Sequence, residues 1–183
     1  MKYSSIKYHL RPYKILERRK TTINHAFAAA IAPYDEFDDE RIRRAVEILG
    51  QDVNEPLICV YCGRPARTWD HVFGTVKDSR FSGHGHRIGN LLPACKPCNS
   101  SKGNKIWQDF LMQVADREKM SDEVRLEREA RIAHFLLEHA YEDAEPIGSP
   151  EYERLLEIRS KVFELLLEAD TLAQSIRDRS KSG

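Results

Sequence analysis

The chain has 183 residues with 29 basic and 29 acidic side chains, and 41% of its residues are hydrophobic. This composition is typical of a soluble globular protein and is too apolar for a disordered chain. No stretch approaches the roughly 20 apolar residues of a membrane span. The N-terminus lacks the apolar run of a secretion signal, so we expect a cytoplasmic protein that has no membrane partner.

The charges are separated along the sequence although their total is zero. Residues 1–20 hold seven Lys and Arg against one acid, and residues 59–107 hold eight against two. Residues 111–183 hold 11 bases against 17 acids. A basic middle segment is what a phosphate-binding surface needs. The alternative interpretation is that the charged residues of a neutral chain are scattered at random along the sequence.

The N-terminal part predicts a basic arm followed by two helices. Residues 1–20 are basic and lack a clear period, so we expect a partly ordered arm. The Ala-rich stretch Thr21–Ala32 predicts a helix that ends before a proline. A second helix, capped by Asp38 or Asp39, should end at Gly50.

The pattern changes twice after residue 56. From about residue 57 to 103, short apolar runs alternate with Gly, Pro and Ser, which predicts small hairpins and loops. Helical spacing then returns in an apolar stripe formed by Trp107, Phe110, Leu111 and Val114. Ser121 can cap a further helix over about 122–141.

The C-terminal segment predicts one long amphipathic helix after a linker. Ser149 and Pro150 are typical of a helix start, as N-cap and first helical residue. Apolar residues then recur every three or four positions, at Leu155, Ile158, Val162, Leu165, Ala169, Leu172 and Ile176. Such a face either packs in the protein's own core or docks on a second copy or a partner protein, for example an ATPase or sensor subunit.

Four cysteines form two CxxC pairs with 32 residues between them, namely Cys59, Cys62, Cys95 and Cys98. Two residues between thiols let both reach one ion from a tight turn, and two such knuckles complete the tetrahedral site that zinc prefers. A disulfide pair or a redox CxxC is the alternative, which suits a secreted or redox protein better. A four-cysteine zinc leaves no open coordination position, so we expect this metal to be structural.

Between the knuckles, Asp70 and His71 are neighbours in a short apolar run, and Asn99 directly follows the last cysteine. Side chains of adjacent strand residues point to opposite faces, so one could hold a metal while the other stays free as a base. Carboxylate and amide oxygens are hard ligands suited to Mg²⁺ or Mn²⁺. Taken alone, however, an Asp–His pair is also an ordinary structural feature.

The segments CVYCG, TWDHV and GNLLPACKPCNSSKGN together resemble the HNH endonucleases, in the subtype with two CxxC zinc knuckles and Asn at the third motif position. The resemblance covers residues 57–105 and implies a ββα-metal finger. It implies that His71 is the general base and that Asn90 shapes the loop that holds this base. Asp70 and Asn99 would hold a catalytic divalent cation, and cleavage would leave 5′-phosphate and 3′-hydroxyl ends.

Basic residues near the motif are candidates for DNA contacts. The resemblance places Lys102 and Lys105 where the family often carries basic residues near phosphate. Arg87 and Lys96 belong to the same basic segment, whose charge favours several residues acting together on the DNA backbone.

Two features depart from the family pattern. Gly74 occupies a position where many members have proline, and the loop from Val72 to Gly89 is long. That loop carries His84 and His86, which either assist at phosphate or metal or are ordinary exposed loop residues.

We therefore expect an α+β protein in which a zinc-stapled finger is embedded between N-terminal and C-terminal helices. Its segments would be the arm and helices (1–50), the finger (51–106), a helical extension (107–145) and a linker with the last helix (146–183). The expected function is metal-dependent hydrolysis of DNA, and by analogy alone the setting is a nuclease subunit in phage defence or restriction. A non-catalytic zinc module that binds nucleic acid or protein is the alternative.

Overall fold

The computed structural model describes residues 2–139 and 148–181. Within them, helices alternate with a short-stranded middle section, which confirms the α+β class. The helices and strands, in chain order, are α1 (Ile15–Ile31), α2 (Asp39–Ile48), β1 (Thr68–His71), β2 (Val76–Lys77), β3 (Arg80–Phe81), β4 (Leu91–Ala94), α3 (Lys96–Lys102), α4 (Trp107–Glu118), α5 (Asp122–Glu138) and α6 (Pro150–Lys181). A 3₁₀ helix at Tyr3–Tyr8 precedes α1, and another at Ile88–Asn90 precedes β4.

The chain divides into two compact units. The first combines the described residues up to Phe27 with those from residue 148 onward. In it, the backbone N–H groups of Ile15 and Leu16 donate to the carboxylate of Asp170 at 2.7 and 3.1 Å. A carboxylate at a helix N-terminus satisfies free N–H groups and favours the helix dipole. Consequently α1 starts six residues before the predicted helix, within the expected basic arm.

The helix α6 of the first unit leaves much of its apolar face exposed. Ile158 is 42%, Leu165 is 65% and Leu172 is 58% exposed, and these three residues form one heptad row. Leu167 and Ile176 are exposed as well. No described helix combines the length and apolarity that a membrane span requires.

The second unit begins at Ala28 and includes the described residues up to His139. As predicted, α2 follows an Asp38 cap that accepts from the Arg41 N–H, and α5 follows a Ser121 cap. α5 ends at Glu138, slightly earlier than expected. Residues 140–147, which include the first residues of the predicted linker, lie outside the described residues.

Two antiparallel strand pairs form the middle of this unit. β1 pairs with β4, in a register that sets Asp70 opposite Leu92 and His71 opposite Leu91. β2 pairs with β3 as a small hairpin in the long loop between β1 and β4. α3 follows β4 directly and packs on β1, so the elements β1, β4 and α3 form a ββα arrangement.

The core of the second unit joins this ββα arrangement to the helices around it. Tyr61, Leu92 and Cys98 are fully buried together with Phe110 of α4 and Phe135 of α5. The predicted stripe on α4 is buried throughout. A finger of this size buries little apolar area alone, so the flanking helices supply much of the support that fixes its geometry.

Candidate functional site

The four cysteines converge on one point. Their sulfur atoms all lie within 4.8 Å of one another, and Sγ of Cys62 is 3.6 Å from Sγ of Cys95. None of them forms a disulfide. In a tetrahedral zinc site with bonds of about 2.3 Å, sulfur atoms are about 3.8 Å apart. The donor set and its spacing therefore fit a structural zinc ion.

The turns around the cysteines explain how the sequence builds this cluster. Gly63 has φ of +76°, and its N–H donates to the Cys59 carbonyl at 2.8 Å, which closes the first knuckle. Only glycine adopts this conformation without strain. Arg128 of α5 donates to the Tyr61 carbonyl at 2.6 Å, and Arg117 of α4 lies 3.8 Å from Cys98 Sγ. Helices outside the finger thus support both knuckles.

Burial raises the pKa of the Cys59 thiol to about 11 and also raises the pKa of Cys98. At Cys95, burial is outweighed by hydrogen bonds with the other cysteines, which lower its pKa. Four thiolates at this spacing need a cation to balance their charge, which is what zinc supplies.

β1 presents its side chains to two different faces, as the alternation of a strand requires. Thr68 and Asp70 face α3, where they contact Asn99 and Lys102. His71 lies on the opposite face and is half-buried. The predicted separation of the carboxylate from the imidazole is therefore present in the strand.

Asp70 is deeply buried, with 3% exposure, and its Oδ2 atom has two partners. The Tyr61 hydroxyl donates to it at 2.7 Å, and the Lys102 ammonium lies 3.4 Å away. Burial raises the pKa of Asp70 and lowers the pKa of Lys102, and their attraction offsets both shifts in part. Burial and the charge of Asp70 raise the pKa of Tyr61, so its phenol stays a donor.

This arrangement corrects the predicted role of Lys102. The residue is 1% exposed, and its ammonium also donates to the His71 carbonyl at 2.7 Å. A buried lysine with these partners cannot reach a phosphate on the surface. Lys102 instead ties α3 to β1 beside both motif residues.

Asn99 of α3 is also held against β1. Its Nδ2 atom donates to Thr68 Oγ1 at 3.0 Å and to the Trp69 carbonyl at 3.2 Å. The carbonyl fixes the amide orientation, because two oxygens would repel each other. The amide oxygen of Asn99 is then the atom that can bind a cation.

Asn90 is fully buried and forms a clamp between two parts of the long loop. Its Oδ1 accepts from the Phe73 N–H at 2.8 Å, while Nδ2 donates to the carbonyls of Phe73 and Gly85 at 3.0 and 2.9 Å. The Asn90 carbonyl also accepts from the Val72 N–H. The contacts to Val72 and Phe73 hold the backbone just after His71, and the contact to Gly85 ties it to the part of the loop just before His86.

His71 lies beside His86, a residue whose role the sequence analysis left open. Its Nε2 is 2.9 Å from Nδ1 of His86. Burial, followed by the positive charges of His86 and Lys102, lowers the pKa of His71 to about 4. The imidazole is therefore neutral at pH 7 and can accept a proton.

The glycine in place of the family proline has a local explanation. A Cβ on Gly74 would lie within 2.4 Å of the Asn104 side-chain oxygen. Asn104 donates to the Val76 carbonyl and so anchors the β2–β3 hairpin at this point. The Asn104 side chain therefore fills the space that a larger residue at position 74 would need.

The other predicted DNA-contacting residues remain at the surface. Lys96 and Lys105 are exposed, and Arg87 is half-buried. Lys105 also donates to the Ser101 carbonyl at 2.6 Å and lies over the Phe110 ring.

Sequence reasoning missed two partners of the site, Tyr61 and Thr68. The sequence signal for Tyr61 is its place inside the first CxxC, since a buried tyrosine needs a partner for its hydroxyl. No sequence signal identifies Thr68.

The comparisons with known proteins agree with this geometry. Residues 59–105 match the family model described as HNH endonuclease. No curated protein and no solved structure matches the chain. The matched segment, about a quarter of the chain, contains both knuckles, β1, β4 and α3. Residues 59–105 are therefore similar to the HNH endonucleases, and they carry the four-cysteine cluster and the ββα arrangement described above.

Proposed function

We propose that the chain is a metal-dependent endonuclease that hydrolyses DNA phosphodiester bonds. The observation that carries this proposal is the buried Asn90 clamp, which holds the backbone after His71 on two sides within the matched segment. A purely structural role for Asn90 would not require a half-buried imidazole two residues before the backbone that it holds.

His71 is the proposed general base. Its lowered pKa keeps the imidazole neutral at pH 7, so it can take a proton from the attacking water. The clamp fixes the backbone that follows His71, and Lys102 fixes the carbonyl of His71 itself. Fixed geometry reduces the entropy that the reaction must lose to bring base and water together.

Asp70 and Asn99 are the proposed holders of the divalent cation. They belong to one β1–α3 interface and offer carboxylate and amide oxygens, the donors that Mg²⁺ and Mn²⁺ prefer. When bound, such a cation stabilises negative charge on the phosphate and the leaving oxygen.

Lys96, Lys105 and Arg87 are proposed to contact the DNA backbone. Two of them are exposed, and all belong to the basic segment between residues 59 and 107. Contacts between basic side chains and phosphates make DNA binding strongly salt-dependent, but they do not select a base sequence.

A non-catalytic zinc module is the second candidate, and the environment of Asp70 favours it. The Tyr61 and Lys102 contacts engage one carboxylate oxygen, and a nearby ammonium opposes a dication. Such a module would bind DNA or protein, and its binding would not depend on His71.

The role of α6 in docking a second copy or a partner protein is also a proposal. Its support is the exposed heptad row of Ile158, Leu165 and Leu172. A setting in phage defence or restriction stays a prediction by analogy.

A titration with Mg²⁺ tests the endonuclease proposal on end-labelled duplex and single-stranded DNA. We expect wild-type protein to cleave, and Asn99→Ala to require at least about 10-fold more Mg²⁺ for the same rate. Asn54→Ala, an exposed loop variant, is the matched control and should follow the wild type. Superimposed titrations for all three proteins would reject Asn99 as a ligand. Binding without cleavage at any Mg²⁺ concentration would reject the endonuclease and favour the module.

A further inference from the structure

His86 forms a direct pair with the proposed base. Its Nδ1 is 2.9 Å from His71 Nε2, and the ring centroids are 5.0 Å apart with an angle of 65° between the planes. At this distance one nitrogen carries the hydrogen and the other supplies the lone pair. The contact therefore couples the tautomers of the two rings.

The backbone around His86 is built to hold it there. The His86 N–H donates to the Pro33 carbonyl at 2.8 Å, and the Asp35 N–H donates to the His86 carbonyl at 3.3 Å. Gly85 permits this close approach, because a Cβ there would lie 2.0 Å from the Pro33 oxygen. The residues that hold His86 from this side lie outside the matched segment 59–105.

Asn90 connects the two histidines from the other side. One side-chain amide bonds the backbone of Phe73, two residues after His71, and the carbonyl of Gly85, directly before His86. A single buried residue thus fixes the backbone next to both rings. The hydrogen bonds of the loop backbone therefore set where both rings are attached.

We propose that His86 is a positioning residue that sets the tautomer of His71, a role that rests on the proposed endonuclease function. His71 Nε2–H donates to His86 Nδ1, so the lone pair of His71 is on Nδ1. The opposite arrangement would engage the Nε2 lone pair and put the hydrogen on Nδ1, and His71 could then not act as a base. His86 is exposed, so water can satisfy its own Nε2–H.

The proposed step moves one proton from water to His71. The attacking water loses a proton to His71 Nδ1, and the electron pair of that O–H bond stays on the oxygen that attacks phosphorus. The resulting imidazolium keeps its Nε2–H hydrogen bond to Nδ1 of His86. The hydrogen bond to a cationic donor is stronger than the one in the resting state.

Three variants of the zinc-loaded protein separate this role from a structural one. His86→Ala removes the acceptor and should lower kcat about 10- to 100-fold with little change in KM. His86→Asn offers an amide oxygen near the position of Nδ1 and should restore most of the rate. His84→Ala changes the same loop without removing the acceptor, and should keep the wild-type kcat. Equal loss in the Ala and Asn variants, or wild-type kcat in His86→Ala, would overturn the proposal.

A ¹⁵N NMR measurement of the imidazoles at pH 7 tests the tautomer without relying on activity. We expect His71 to carry its hydrogen on Nε2 in the wild type and to populate both tautomers in His86→Ala. A hydrogen on Nδ1 of His71 in the wild type would overturn the proposal for His86. Failure of the wild type to cleave any DNA would instead reject the endonuclease on which it rests.

Discussion

At the scale of single residues, the neutral state of His71 links the site to the stability of the fold. Burial and two nearby positive charges lower its pKa to about 4, whereas an imidazole in an unfolded chain titrates near 6.5. Between these values the unfolded chain binds a proton that the folded chain does not. The free energy of unfolding therefore rises with pH in this window and falls as the solution is acidified.

His71→Asn should remove this part of the pH dependence. From pH 7 to pH 5 the wild type should lose more stability than the variant, because only the wild type has the His71 imidazole with its lowered pKa. Urea unfolding of both zinc-loaded proteins at pH 7, 6 and 5 measures the difference, and acid effects on the cysteines cancel in the comparison. Parallel curves for the two proteins would contradict the assigned pKa.

The buried pair of Lys102 and Asp70 predicts a large loss of stability on substitution. Lys102→Met should leave Asp70 buried without its ion pair, at a cost of about 3–5 kcal/mol. Lys105→Met is the matched control, because Lys105 is exposed three residues away. Denaturant unfolding of both variants checks this, and a similar small effect in each would contradict the buried role.

Particular residues show what the sequence could predict at this scale. The cysteine cluster was predictable, because CxxC spacing limits how two thiols can be arranged. The burial of Lys102 was not, because it depends on the tertiary contacts of its ammonium with Asp70 and the His71 carbonyl of β1. The position of His86 depends in part on backbone contacts with Pro33 and Asp35, which lie about 50 residues away along the chain.

At the scale of elements, the two knuckles and the helices behind them form one metal-dependent unit. Cys98→Ser should lose bound zinc and lower the melting temperature strongly, since a structural metal supplies folding free energy. Metal analysis and thermal unfolding of the purified protein measure both effects. A zinc-free wild type with undiminished stability would reject the four-cysteine site.

The helices differ in how far their limits follow from local sequence. α2 and α5 start at caps that the sequence itself supplies, Asp38 and Ser121. The start of α1 was predicted too late, because its N-terminal N–H groups bind Asp170, 155 residues away along the chain. Local patterns carry no information about such a contact.

At the scale of the whole molecule, the exposed row on α6 predicts self-association. A second copy would cover Ile158, Leu165 and Leu172, and the solution mass would be twice the 21.2 kDa of one chain. The double variant Leu165→Glu/Leu172→Glu should be monomeric, because charges in an apolar seam oppose burial. Light scattering on the full chain measures the solution mass of both proteins. A monomeric wild type would contradict the prediction of a homodimer.

We propose above that the matched segment cleaves DNA through His71 with a divalent cation. The most direct measurement is the conversion of supercoiled plasmid by zinc-loaded wild type and His71→Ala, each with Mg²⁺ and with excess EDTA. We predict nicked or linear product from the wild type with Mg²⁺ only, and intact plasmid in the other three reactions. Equal cleavage by His71→Ala would contradict the role of His71, and cleavage that survives EDTA would contradict the need for a divalent cation.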